Sequence, residues 1–324
     1  MRRAHLPTLA ALAAALLLVG CAGGPPPKAE PPALPATYTG QPATASPVLA
    51  ADWWKQLQEP ELNALVEQAL AANLDLRLAA LRVDEAAVAV TLARSAQWPT
   101  VELGSAVTRS RSSQLNGQQV PVPEATTHRA ALATSFEIDL WGKLRDATQA
   151  AREQLLAAQH ARDTVRLALV GTLAQAWLGV RSLDSQRAIL DAQWLTRRDA
   201  LALVQRRVQA GVASGLDQAQ AEAALAALAA QQVELTRQRE QLVHVIAELA
   251  GQPGLQVAVN ARPLAAPAAV PAGLPSELLQ RRPDLQQAEA AMRAAFAAFD
   301  VTRKSAWPTL ALTGSLGAQS ADLA

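Results

Sequence analysis

The 324-residue sequence has one cysteine, and aromatic residues make up only 3% of it. A lone cysteine excludes an intrachain disulfide. Four histidines, His5, His128, His160 and His244, lie far apart, and none has the spacing of a metal site. There is no nucleophile elbow, no phosphate-cradling loop and no His/Asp/Glu constellation at useful spacing, so an enzyme fits poorly. The 29 basic residues balance 28 acidic ones, and no basic patch points to nucleic acid. What remains is a chain that is half apolar yet short of rings, rich in Ala, Leu, Gln and Arg. That composition favours long helices over a conventional mixed core.

The N-terminus carries Arg2 and Arg3, then the uncharged stretch Leu6–Gly20. It is too short to span a bilayer as a helix and reads as a cleaved export signal over residues 1–20. Leu18-Val19-Gly20-Cys21 resembles the bacterial lipobox, which makes Cys21 the acylated mature N-terminus. Ala22 in place of Asp resembles lipoproteins sent on to the outer membrane. Residues 21–50 form a tether: Gly23–Pro47 holds eight prolines and cannot bury a core. The covalent lipid on Cys21 is the one non-protein group expected; no cofactor or metal is.

Residues 75–103 align with 284–312 without a gap, and ten of the 29 positions are identical. Three of the ten are alanines, but Trp-Pro-Thr recurs at the same distance from Asp-Leu in both copies, which marks an internal duplication. Each copy reads helix, Trp-Pro-Thr, strand. Asp75–Gln97 and Asp284–Ala306 lack Pro and Gly; Pro99 and Pro308 then disfavour helix at Trp98 and Trp307 and withdraw a backbone donor. These four residues mark the helix-to-strand junctions. Beyond them Val101, Leu103, Ser105 and Val107, and Leu310, Leu312, Gly314 and Leu316, alternate with small or polar residues, the period of a strand with one oily face.

Arg111–Thr127 reads as a loop, with Asn-Gly and two prolines. Alternation then resumes, with Leu132, Thr134, Phe136, Ile138 and Leu140 on one side and Ser135, Glu137 and Asp139 among those on the other. Such a strand suits a wall between lipid and water, and a soluble half-buried strand gives the same pattern. Glu137 and Asp139 are expected to face a watery lumen rather than act as a catalytic pair.

From Lys143 to Gln209 no proline interrupts; as one helix this stretch is about 100 Å long. Positions 169, 173, 176, 180, 183, 187, 190, 194, 197, 201, 204 and 208 step by four and three, and ten of the twelve are apolar, Arg187 and Arg197 excepted. That is a coiled-coil seam. The chain breaks at Gly211–Asp217, Asp217 can open the returning helix, and Gly251-Gln252-Pro253-Gly254 closes it. An antiparallel helical hairpin over 143–250 with unequal arms follows, and the start of its longer arm, roughly 143–175, needs a partner elsewhere.

Together these segments resemble the outer-membrane factors, the channel-tunnels of tripartite efflux pumps, in their lipoprotein branch. The resemblance is carried by D-W-W-K-Q-L-Q-E-P-E-L-N-A-L-V-E-Q-A-L-A-A-N-L-D-L (52–76), F-E-I-D-L-W-G-K-L-R (136–145), R-V-Q-A-G-V-A-S-G-L-D-Q-A-Q-A-E (207–222), L-L-Q-R-R-P-D-L (278–285) and the second Trp-Pro-Thr. It implies a mainly α fold with a membrane β-hairpin, a duplicated helix–strand–strand–long-hairpin unit forming part of a trimeric β-barrel and a periplasmic α-barrel. Residues 51–273 are then the first repeat, with strands near 100–110 and 129–140, and 274–324 open the second. The implied function is passive export of small molecules across the outer membrane, with a homotrimer, a periplasmic adaptor and an inner-membrane transporter as partners. The adaptor-docking tip carries over to Arg207, Gly211, Ser214, Leu216 and Asp217, residues that also suit an ordinary helix-turn-helix cap.

One departure stands out. In the first copy 152 residues follow Trp98 through Ala250, whereas 17 follow Trp307, so roughly 135 expected residues, including the fourth strand and the second hairpin, are missing. The expectation is a fragment of a longer protein or a truncated product without transport. The alternative reading is a lipid-anchored periplasmic scaffold or adaptor that uses only the coiled-coil hairpin.

Overall fold

The computed structural model describes residues 52–111, 124–264 and 277–321. The signal segment, Cys21 and the tether lie outside them. A single 3-10 turn, Trp53–Leu57, leads into helices α1 (Pro60–Ala72) and α2 (Leu74–Ser95). Strands β1 (Thr100–Arg111) and β2 (Glu124–Ile138) follow, then helices α3 (Lys143–Gln209) and α4 (Gly215–Leu249). A short turn α5 (Leu278–Arg281), helix α6 (Pro283–Lys304) and strand β3 (Leu310–Ser320) complete the described chain. It divides into two compact units, and α2, α3 and α6 each contribute residues to both.

The first unit comprises the described residues 82–111, 124–159 and 286–321. Its sheet has the order β1-β2-β3, antiparallel throughout. Thr100 faces Ser135 and Arg111 faces Glu124 in the first ladder; Ile138 faces Leu310 and His128 faces Ser320 in the second. The last strand thus repeats the role of β1 on the other side of β2, as the duplication requires. Below the sheet the helical part is lined by small residues: Ala150, Ala151, Ala290 and Ala294 are buried. Arg293 on α6 reaches Glu153 on α3 at 3.1 Å. The start of the longer arm therefore finds its partner in the second copy of the duplicated helix.

The second unit comprises the described residues 52–81, 160–264 and 277–285. Leu62, Leu65, Val66 and Ala69 recur at the spacing of one helix face, and all are buried. They join Leu169, Leu173, Trp177 and Val180 of α3 and Val243 and Ile246 of α4 in one apolar cluster. The seam is buried over its first part, at Leu169, Leu173, Ala176, Val180, Leu183 and Leu190, while Trp194, Leu201, Val204 and Val208 toward the tip are half-buried and Arg197 is exposed.

Charges sit inside this unit. Arg181 and Asp184 are each 1% exposed. The Arg181 guanidinium donates to the carbonyls of Asn260 and Arg262 and lies 3.5 Å from Glu59. Asp184 accepts from the Arg239 side chain at 2.6 Å and from the Asn260 amide at 2.9 Å. Arg239 also donates to the Val257 carbonyl. The extended segment after α4 has no sheet to satisfy its backbone, and these side chains supply its partners.

Three expected boundaries shift. The second strand begins at Glu124, not 129, because Glu124–Thr127 pair with Thr108–Arg111 although they carry no apolar alternation. It ends at Ile138, so Asp139 and Leu140 lie past the strand. The returning helix begins at Gly215 with Ser214 as its cap, and Asp217 sits one turn inside.

Candidate functional sites: a two-faced sheet, its helical joint and the hairpin tip

The register sorts the sheet into two faces. Val101, Leu103 and Val107 share a face with Leu132, Phe136 and Ile138 and with Leu310, Leu312 and Leu316. The opposite face carries Glu102, Gly104, Ala106 and Thr108, then Ala131, Ala133, Ser135 and Glu137, then Ala311, Thr313, Ser315 and Gly317. One face is oily and the other small and polar, the arrangement of a membrane strand between lipid and water. Leu103 and Leu316 are 78% and 79% exposed, so nothing among the described residues covers the apolar face there. Gly317 has a packing reason to lack a side chain: a Cβ there would lie 2.6 Å from the Ala130 carbonyl oxygen and 2.7 Å from Ala131 Cβ.

At the joint, both Trp-Pro pairs end their helices alike. The Trp98 amide donates to the Ser95 carbonyl at 3.0 Å, and the Trp307 amide to the Lys304 carbonyl at 3.1 Å. The following proline prevents the helix from continuing. Trp98 is 69% exposed; Trp307 packs against Trp141, with ring centroids 5.4 Å apart. The Trp141 indole donates to the Pro308 carbonyl at 2.9 Å. In the first copy Gln97 makes the corresponding tie, donating to Thr148 Oγ1 at 2.6 Å and to the Leu144 carbonyl. Trp141 and Gln97 were not singled out by the sequence, since neither sits in a periodic pattern.

Glu137 and Asp139 do not form a pair. Glu137 holds Lys143 at 2.6 Å on the polar side of β2. Asp139 turns back and accepts from the amides of Leu144 and Arg145, at 3.1 and 3.0 Å, and from the Arg145 guanidinium. Gly142 precedes α3 without a side chain, so Asp139 satisfies the free amides of the first turn in its place. Burial alone raises the Asp139 pKa, but these donors outweigh it and hold the carboxyl below its usual range. The strand reading of Asp139 is therefore corrected: its role here is to start the helix. Lys304 closes the joint on Asp146 at 2.5 Å.

At the tip, Gly211 has φ +74, the left-handed conformation that favours glycine. Its neighbour Val212 donates to the Arg207 carbonyl at 2.9 Å, closing α3. Ser214 and Asp217 form a capping box: the Asp217 amide donates to Ser214 Oγ, and the Ser214 amide and hydroxyl both donate to Asp217. The Ser214 hydroxyl and then its amide hold the Asp217 carboxyl below its ordinary value. Leu216 is 66% exposed, and Val212, which sequence reasoning passed over, is 74% exposed. Arg207 is exposed one turn back. The turn is rigidly capped and presents two apolar side chains to solvent.

No described helix is long and apolar enough to cross a membrane. The outer membrane efflux protein family model matches residues 65–252 and 274–324. The pyoverdine export outer membrane protein OpmQ of Pseudomonas aeruginosa is 33% identical over 320 residues, 95% of this chain and 67% of that protein. Outer membrane protein OprJ of the same species is 30% identical over 331 residues, 97% of this chain and 67% of its own length. Among solved structures, the outer-membrane channel OprN superposes with a TM-score of 0.81 at 28% identity, over 92% of this chain and 68% of that one. The open state of the MtrE outer membrane channel of Neisseria gonorrhoeae gives 0.74 at 26% identity, over 92% and 67%. This chain thus spans about two thirds of the length of these relatives. With a sheet of membrane pattern, a duplicated helical joint and this likeness along nearly its whole length, the chain belongs to the outer membrane efflux protein family and is an outer-membrane efflux-channel component.

Proposed function

We propose that the chain contributes to a homotrimer whose sheets, completed by further strands, close into one outer-membrane barrel, a passive duct for small molecules. The observation that carries this reading is the sheet itself, oily on one face, small and polar on the other, with exposed leucines. One edge of β1 and one of β3 pair with nothing among the described residues. In lipid such edges need partners, and closure with further strands supplies them. Cys21 carries the lipid that tethers the N-terminus to the outer membrane. The tip around Arg207, Gly211, Ser214, Leu216 and Asp217 engages a periplasmic adaptor, and an inner-membrane transporter provides the energy. The duct needs no cofactor, metal or nucleic acid.

Planar-bilayer recording of the oligomer purified from native membranes tests the duct: discrete conductance steps are expected, together with heat-modifiable mobility on gels. Silent bilayers and extraction as a soluble helical monomer would favour a lipid-anchored scaffold instead. Cys21→Ser should abolish incorporation of labelled palmitate, and persistent labelling removes the anchor.

A further inference from the structure

The apolar face of the sheet does not end the same way at its two ends. At the helical end the strands are flanked in sequence by Trp98, Trp141 and Trp307, aromatic residues of the kind expected at a membrane boundary. Toward the β1–β2 turn the described strands carry no aromatic residue. The residues that continue the alternation beyond Val107 on the same face are Arg109 and Arg111. Their cross-strand partners are Thr126 and Glu124, and Val107 faces His128. Guanidinium groups therefore stand on the oily side of the sheet, one and two strand repeats above its last valine.

We propose that Arg109 and Arg111 form a binding site for the phosphate of a lipid headgroup in the outward leaflet. The proposal rests on the channel reading, which sets the apolar face against lipid and the turn end away from the periplasm. Six strand steps from Val101 to Val107 cover about 20 Å along the strand. For a tilt of about 40°, Arg109 and Arg111 stand about 20 and 25 Å above Val101, at the outer limit of an apolar band about 25 Å tall, from which their long side chains reach the headgroups. Glu124 lies 3.2 Å from Arg109 and 3.6 Å from Arg111, so one carboxylate serves two guanidiniums and a positive charge is left over. Both arginines remain largely open, at 76% and 81% exposure. A guanidinium fork matches phosphate oxygens two at a time. Arginines facing the lipid side have no stable place in hydrocarbon, and an anionic headgroup is the counter-charge that layer offers.

The test uses the detergent-purified oligomer mixed with lipid A, its retention followed by native mass spectrometry. The wild type should hold lipid A in preference to its dephosphorylated form. R109Q/R111Q should lose about a hundredfold in retention, the effect of removing two charge-assisted contacts. Arg129→Gln, on the opposite face of β2, should change nothing. Equal retention by the double variant, or of the dephosphorylated lipid, overturns the proposal. A fluorophore on Ser105→Cys, reconstituted in vesicles with brominated acyl chains, separates the two readings. Quenching with unchanged lipid A retention sinks the phosphate site alone, and no quenching sinks the channel reading and this site with it.

Discussion

The indole nitrogen of Trp141 donates to the main-chain oxygen of Pro308, ties the exit of the second strand to the second Trp-Pro-Thr, and brings its ring against Trp307. The duplicated halves are thereby joined by a bond that neither copy could make alone. Trp141→Phe keeps an aromatic contact and loses the donor, and should cost about 1 kcal/mol. A double-mutant cycle of Trp141→Ala with Trp307→Ala should show a coupling of about 0.5–1.5 kcal/mol. Strict additivity in thermal unfolding would mean that the rings do not interact.

Asp139 should matter through helix α3 rather than through the lumen. Asp139→Ala removes the acceptor for two first-turn amides and should cost about 0.5–2 kcal/mol, whereas Asp139→Asn, which keeps an acceptor, should cost less. Hydrogen exchange at the Leu144 and Arg145 amides is the direct measurement, and unchanged protection in the alanine variant refutes the cap.

The buried ions of the second unit should each be costly to remove. Arg181→Met leaves two carbonyls short of a donor and Glu59 without its counter-charge, and Asp184→Leu strands Arg239; each should cost about 3–5 kcal/mol, as for one half of a buried pair. Exchange of the Asn260 amide should speed up sharply in Asp184→Leu. If that amide stays protected, the segment after α4 is held by its apolar contacts instead.

Gly317→Ala places a methyl group within 3 Å of main-chain atoms of β2, which cannot step aside as a side-chain end could. The expected cost is about 1–3 kcal/mol, typical of overpacking, with loss of protection at the Ala130 and Ala131 amides. Gly104→Ala is the control, because the nearest atom to a Cβ there is 4.0 Å away.

The hairpin tip should loosen in acid. The Asp217 carboxyl is held below its ordinary value of 3.8 by Ser214. A group depressed in the folded state stabilises it above its unfolded value, and that contribution disappears as pH falls through the lower folded value. Protection across residues 211–218, taken relative to the intrinsic exchange rate at each pH, should therefore fall below about pH 4 in the wild type, while Ser214→Ala should show roughly fivefold faster exchange already at neutral pH. A flat profile in the wild type would dismiss the capping box.

Much of this architecture was legible in the residues. Heptads fixed the hairpin, two prolines fixed the ends of α2 and α6, and alternation fixed which side of each strand is oily. Each is a local period, and local periods survive in sequence. The misreadings have the opposite character. Glu124–Thr127 carry no alternation and become strand only because Thr108–Arg111 lie alongside. Asp139 fits the strand period but is drawn off by amides five and six residues ahead. Arg181 and Asp184, spaced three apart on a helix, look like an ordinary surface pair until the extended chain around Asn260 covers them.

The single helix Lys143–Gln209 also limits how this protein can change length. One residue inserted after Ser185 turns all later side chains by about 100°, taking Leu190, Trp194 and Leu201 off the seam together. Seven inserted residues bring them back to within about 20°. Natural variation and engineering alike can therefore lengthen or shorten this arm in heptad steps, and a loop elsewhere cannot absorb the difference.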